Sequence, residues 1–257
     1  MNLSLQKANF GKRIIAGIFD GIFTGIIAVA VATVLSLLLG YDGYMSELNE
    51  TYERYEAEYE VDLQITRQEF DKLSEQEQAE YTERLEALNQ ALAEDGDAAY
   101  TYNMLINLSL IILSLSLLLG VVAIEFVVPL LFGNGQTLGK KIFGIGVINS
   151  ELIKVNNVQL FVRAVLGKFA IELMIPVCII IMIFFNSIGI LGAFVLIGII
   201  IVQAVCVAVS RTNSLLHDTL AGTVAVDLAS QRIFDTAEKK IEYINKLQAE
   251  QAARKDY

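Results

Sequence analysis

The stretch IIAGIFDGIFTGIIAVAVATVLSLLL, residues 14–39, decides the fold class. Its 26 residues hold one charge, Asp20. About 20 helical residues cross a bilayer, so the segment reads as a membrane span. It is too long for the apolar core of a signal peptide and lacks a small-residue cleavage site before its polar flank. It is expected to stay as an uncleaved anchor.

Three more stretches have the same character: residues 104–132, 164–185 and 188–209. Only Asn186 and Ser187 divide the last two, which predicts a tight helical hairpin. Apolar residues make up 54% of the chain, and mean hydropathy is +0.53. Cys178 and Cys206 both fall inside spans and read as packing groups, silent about redox compartment. There is no Trp, so any interfacial belt must use Tyr and Phe. The fold expected is an all-α membrane protein with four transmembrane helices.

Charge then sets the orientation. Residues 41–103 carry 18 Asp and Glu against 4 Lys and Arg, whereas the remainder carries 11 acidic and 15 basic residues. Lys7, Lys12 and Arg13 precede the first span. Lys140, Lys141, Lys154, Arg163 and Lys168 follow the second, and Arg211, Arg232, Lys239, Lys240 and Lys246 follow the fourth. Basic flanks mark the cytoplasmic side. The expected protein is multi-pass in the cell membrane, with both termini cytoplasmic and the acidic segment outside.

The acidic segment reads as a helical hairpin insertion. Thr66 to Glu69 and Ser74 to Glu77 both have capping-box spacing. Tyr81, Leu85, Leu88 and Leu92 recur at helical intervals, and Gly96 is a candidate stop. The segment suits either a solvated hairpin or an acidic surface for a protein partner at residues 44–98.

In the first span, Gly17, Gly21 and Gly25 repeat every four residues beside the row Ala16, Asp20, Thr24, Ala28. Small residues at this spacing let helices pack closely in lipid. Asp20 goes beyond packing. A carboxylate at the centre of a membrane helix costs roughly 2.5–3.5 kcal/mol even on the lenient insertion scale. Asp20 is expected to find a partner on another helix.

Two further acids share a motif. Residues 123–129 read AIEFVVP and residues 170–176 read AIELMIP, and these hold the chain's only prolines. Proline removes an N–H and crowds the carbonyl four residues earlier, here that of Glu125 and Glu172. At 1.5 Å per residue, Asp20, Glu125 and Glu172 lie about 10, 12 and 6 Å from the basic ends of their spans. They are the candidate cation- or proton-binding residues. The alternative is neutralisation by bases, with Lys168 and Glu172 spaced as an i,i+4 pair. Arg13, Lys168, Arg211, His217 and Asp218 form the candidate supporting network, and Lys140 and Lys141 are expected at lipid headgroup level.

No nucleotide loop is present: the Gly139-Lys140 pair lacks both the preceding Gly and the following Ser or Thr that a phosphate loop needs. A single histidine, His217, makes no multi-histidine metal site but suits a proton relay. No catalytic triad or Cys/His metal spacing occurs. The chain is expected to be no enzyme, to use no metal or cofactor, and to bind no nucleic acid.

Three elements resemble one family. Arg13 precedes the first span, with Asp20 inside it. GQTLGKKIFGIGVI, residues 135–148, follows the second span. LLHDTLAGTVAVD, residues 215–227, follows the last. The chain resembles the RDD family of small multi-pass membrane proteins, named for one Arg and two Asp. Arg13 and Asp20 match the first two, and Asp218 is taken as the third. The resemblance covers residues 8–40 and 104–228, leaving out the insertion at 41–103 and a charged cytoplasmic helical tail at 229–257. It implies transport, including cation/proton exchange, or a role as accessory subunit of a membrane complex. The function expected is a small transporter or cation/proton exchanger using Asp20, Glu125 and Glu172. The alternative is a non-transporting scaffold docking through the acidic hairpin and the tail. Four spans leave little room for a private pathway, so a homo-oligomer is expected.

Short β-prone runs at 142–148, 152–155 and 223–227 predict a small cytoplasmic sheet. In the tail, Asp235 to Glu238 has capping-box spacing, and Ile241, Ile244 and Leu247 share a helical face.

Overall fold

The computed structural model of the protein describes residues 4–255. Four of its helical segments are long and apolar enough to cross a membrane: Phe10–Leu39, Gly96–Phe132, Asn157–Phe184 and Gly189–Val209. Large apolar side chains on their outer faces stay exposed, among them Ile18, Ile22, Ile26 and Phe184. That surface suits lipid, and intrasegment hydrogen bonds meet the backbone's needs there. The chain packs as two compact units, residues 32–115 and the rest.

In the unit of residues 32–115, Gly40 adopts a left-handed conformation (φ 69°) between α1 (Phe10–Leu39) and α2 (Tyr41–Tyr59). Both expected capping boxes form: Thr66 and Glu69 start α3 (Arg67–Phe70), and Ser74 and Glu77 start α4 (Glu75–Glu94). α2 packs on α4, burying Leu48 and Leu88. Three tyrosines add to this packing. Tyr55 stacks on Tyr59 and donates to Asp95 at 3.0 Å, and Tyr81 packs against Phe70 and donates to the Asp62 carbonyl. Gly96 is no stop. The backbone turns at Asp95, whose side chain accepts from the N–H groups of Asp97 and Ala98 and so starts α5 (Gly96–Val121).

In the other unit, α5 runs into a π-helical stretch, Val122–Val127, and then α6 (Val128–Phe132). The third span is α8 (Asn157–Phe161), a longer π-helical stretch Val162–Met174, and α9 (Ile175–Phe184). Each AIE motif thus lies in π-helix, which reverts to α-helix one residue before the proline. The missing proline N–H breaks the i→i−4 ladder, and the wider i→i−5 turn takes up the change, as when Val128 N–H donates to the Ala123 carbonyl. α10 (Gly189–Val209) completes the hairpin after a turn at Asn186.

A two-stranded antiparallel sheet joins β1 (Ile145–Asn149) to β2 (Thr223–Asp227), with Val147 opposite Ala225. Residues 152–155 do not add a full strand: Ile153 and Lys154 make isolated bridges to Phe234 and Ile148. The chain start pairs instead, with Ala8 N–H donating to the Ala225 carbonyl and Asp227 N–H to the Gln6 carbonyl. Ile148, Leu152, Val224, Val226 and Phe234 form the core beneath. The tail helix α12 (Ala237–Lys255) is capped by Thr236, not Asp235, whose carboxylate is taken by Lys154 and Lys239.

Candidate functional site

The site grows from α1. Of the two rows in its first half, the one with Ala16, Asp20 and Ala28 is buried. The glycine row is not: a Cβ at Gly17, Gly21 or Gly25 would meet nothing within 4 Å. Asp20 reaches α7 (Leu138–Ile142), as its burial requires. Its Oδ2 accepts from the Thr137 hydroxyl at 2.5 Å and its Oδ1 from the Gly139 N–H at 2.7 Å. Position 139 must be glycine for this contact, because a Cβ there would lie 2.2 Å from the Ala16 carbonyl oxygen.

Lys140 sits between two acids. Its Nζ is 3.4 Å from Asp20 Oδ2 and 3.6 Å from Glu125 Oε2. This corrects the headgroup expectation: Lys140 is 7% exposed and turned inward, because two buried carboxylates need a counter-ion. Burial, opposed by Glu125, brings the Lys140 ammonium down to about 8. Lys141 instead lies over the Phe132 ring, 3.7 Å from its centroid.

Glu125 also meets Arg163 Nη1 at 3.5 Å and Lys168 Nζ. Lys168 therefore serves Glu125, and the expected i,i+4 pair with Glu172 does not form. Glu172 is filled from α11 (Leu216–Ala221) and α10: it accepts from the His217 N–H, from His217 Nδ1 at 2.9 Å and from Gln203 Nε2 at 2.7 Å. His217 Nε2 faces Arg163 Nη2 at 3.1 Å. Arginine only donates, so Nε2 accepts, and Nδ1 carries the proton toward Glu172. Gly167 lets α11 come this close, since a Cβ there would lie 2.6 Å from His217 Cβ. Burial pushes the His217 imidazolium below its usual range, against the pull of Asp218.

Asp218 closes the network. It accepts from Arg163 Nε at 2.9 Å, Arg13 Nη2 at 3.0 Å and the Thr223 hydroxyl at 3.2 Å. Burial pushes its carboxyl up, but Arg163, His217 and Arg13 together hold it well below the usual carboxylate range. Arg13 also donates to the carbonyls of Thr212 and Asn213.

Asp20, Glu125, Glu172, Arg13, Lys168, His217 and Asp218 thus fall in one connected set. Arg211 does not join it: it is exposed and pairs with no carboxylate among the described residues. Lys140 and Arg163 instead neutralise Asp20 and Asp218. By sequence, Arg163 is only a flanking charge and Lys140 a headgroup contact. Arg163, two turns before Glu172, carried the signal of a base inside a helix.

A cavity of about 330 Å³ opens beside the set. Arg13, Lys140, Arg163, Lys168, His217 and Asp218 line one side, and Phe10, Ile14, Gly17 and Ile18 of α1 line another. Asp20, Glu125 and Glu172 are absent from its walls.

The RDD family model matches residues 7–222, most of the chain. The chain belongs to the RDD family. It is an RDD membrane protein with four apolar helices, and the match takes in Arg13, Asp20 and Asp218. The first and last of these meet directly. The chain has no significant match among curated proteins or solved structures.

Proposed function

We propose that this RDD protein is a membrane scaffold or accessory subunit that does not itself carry ions. Its intramembrane carboxylates act as counter-ions that hold α7 and α11 onto the spans. One observation supports this above all: Asp20, Glu125 and Glu172 are each already met by donors, and none faces the cavity. A hard cation needs several oxygens free of competing ammonium groups. Here Lys140 stands between two of the acids and would repel one.

In this proposal the basic flanks face the cytoplasm, the acidic segment lies outside, and residues 44–98 and the tail dock partner proteins in the cell membrane. It is not an enzyme. A homo-oligomer fits the exposed glycine row of α1, where another helix could approach.

The test is flux. Purified protein in proteoliposomes is expected to pass Na⁺ and H⁺ no faster than protein-free vesicles. Flux that Asp20→Asn abolishes would overturn the scaffold reading.

That outcome would support cation/proton exchange, a second reading favoured by Lys140. Its ammonium, near 8, lies within 4 Å of both Asp20 and Glu125. Loss of its proton would remove the cation beside Asp20, while Arg163 and Lys168 still hold Glu125.

A further inference from the structure

We propose that the cavity beside the charge network binds the phosphate of an anionic phospholipid headgroup. Its polar side presents Arg13, Lys140, Arg163 and Lys168, with Asp218 the one carboxylate among its described lining residues. Asp20 and Glu125 stand behind these cations, outside the lining. The site goes beyond the docking surfaces of the proposed scaffold and uses different residues.

Among the described residues, donor capacity remains at this surface. Lys140 spends its three donors on Asp20, Thr137 and Glu125. Lys168 gives one of its three to Glu125, so two remain. Arg13 gives three of its five to Thr212, Asn213 and Asp218, so two remain. Charge-assisted bonds from such groups are the usual way a phosphate is held.

The other wall selects the source of the phosphate. Phe10, Ile14 and Ile18 are 42%, 49% and 57% exposed on the first turns of α1. A soluble phosphate gains nothing from that apolar surface. A phospholipid lays acyl chains along it while its headgroup enters among the cations. Gly17 keeps the way open, with nothing within 4 Å of the place its Cβ would take.

The experiment follows thermal unfolding of the detergent-purified full chain with added phosphatidylglycerol, phosphatidylcholine or inorganic phosphate. Gly17→Phe fills the cavity and leaves every charge in place. Phosphatidylglycerol is expected to raise the unfolding temperature, with phosphatidylcholine and inorganic phosphate giving no comparable shift. Gly17→Phe is expected to abolish the effect, and Lys168→Gln to raise the lipid concentration needed about fivefold. Equal shifts with both lipids overturn the proposal. So does protection by inorganic phosphate, which would mean a soluble ligand. A phosphatidylglycerol effect that survives Gly17→Phe also overturns it, since general attraction to an anionic surface would then suffice. If Gly17→Phe does not fold, an unchanged lipid dependence in Lys168→Gln overturns it in the same way.

Discussion

Arg163 Nε donates to Asp218 Oδ1 at 2.9 Å, and both side chains are 1% exposed. The pair ties the third span to α11, and Arg13 adds the first span by meeting the other Asp218 oxygen. A buried ion pair adds little net stability over an apolar pair, but losing one partner strands the other charge. Arg13, Arg163 and Asp218 thus work as a clasp.

Asp218→Asn is therefore expected to cost about 3–5 kcal/mol, because two buried guanidinium groups lose their shared anion. Thermal unfolding in detergent checks this. Adding Arg163→Met should recover part of the loss. A double variant no more stable than Asp218→Asn would show that the cost has another origin.

Gly139→Ala is expected to detach α7 from α1. The new Cβ would lie 2.2 Å from the Ala16 carbonyl oxygen and 2.9 Å from Asp20 Oδ1. Backbone must move, and overpacking of this kind costs about 1–3 kcal/mol or more. Hydrogen exchange at residues 137–141 should speed up, whereas α4 keeps its rate.

The spans, the hairpin turn at Asn186 and the two capping boxes were legible because each depends on local pattern: length, apolarity, or a Ser/Thr three residues before Glu. The convergence of Arg13, Asp20, Glu125, His217 and Asp218 was half legible. Their presence in apolar surroundings announced a need for partners. Which partners was not legible, because Lys140 to Asp20 and Arg163 to Asp218 are contacts between distant parts of the chain. Arg211 and Lys168 were natural choices by sequence distance, yet packing brought Arg163 to Asp218 and turned Lys168 to Glu125. The inward turn of Lys140 follows from Gly139 allowing α7 to touch α1, which no periodicity reports.

Leu88→Ala tests the unit of residues 32–115. Leu88 is fully buried in the packing of α2 and α4, and truncating such a leucine costs about 2–5 kcal/mol. Limited proteolysis should cut within residues 41–94 sooner in the variant. Unchanged cleavage would mean that Tyr55, Asp95 and the capping boxes hold these helices without the leucine.

The last expectation concerns pH. His217 is buried against Glu172, Arg163 and Asp218, with Lys168 near, and its folded-state value lies below the ordinary one of about 6.5. In the window just under 6.5 the unfolded chain therefore binds a proton that the folded chain refuses, and stability falls as pH drops. Asp218 acts in a lower window. Its folded value is depressed, so its contribution is complete above the ordinary carboxylate value of about 3.9 and is lost only below it. Lys140, near 8 when folded against an ordinary 10.5, makes stability rise with pH between those values. Unfolding temperatures taken from pH 6.5 down to about 5.5 should decline in the native chain and flatten in His217→Gln, since carboxylates, with ordinary values of about 3.9–4.3, titrate mainly below that range. A decline of the same slope in both would place the sensitive group elsewhere and remove His217 from the proton balance of the network.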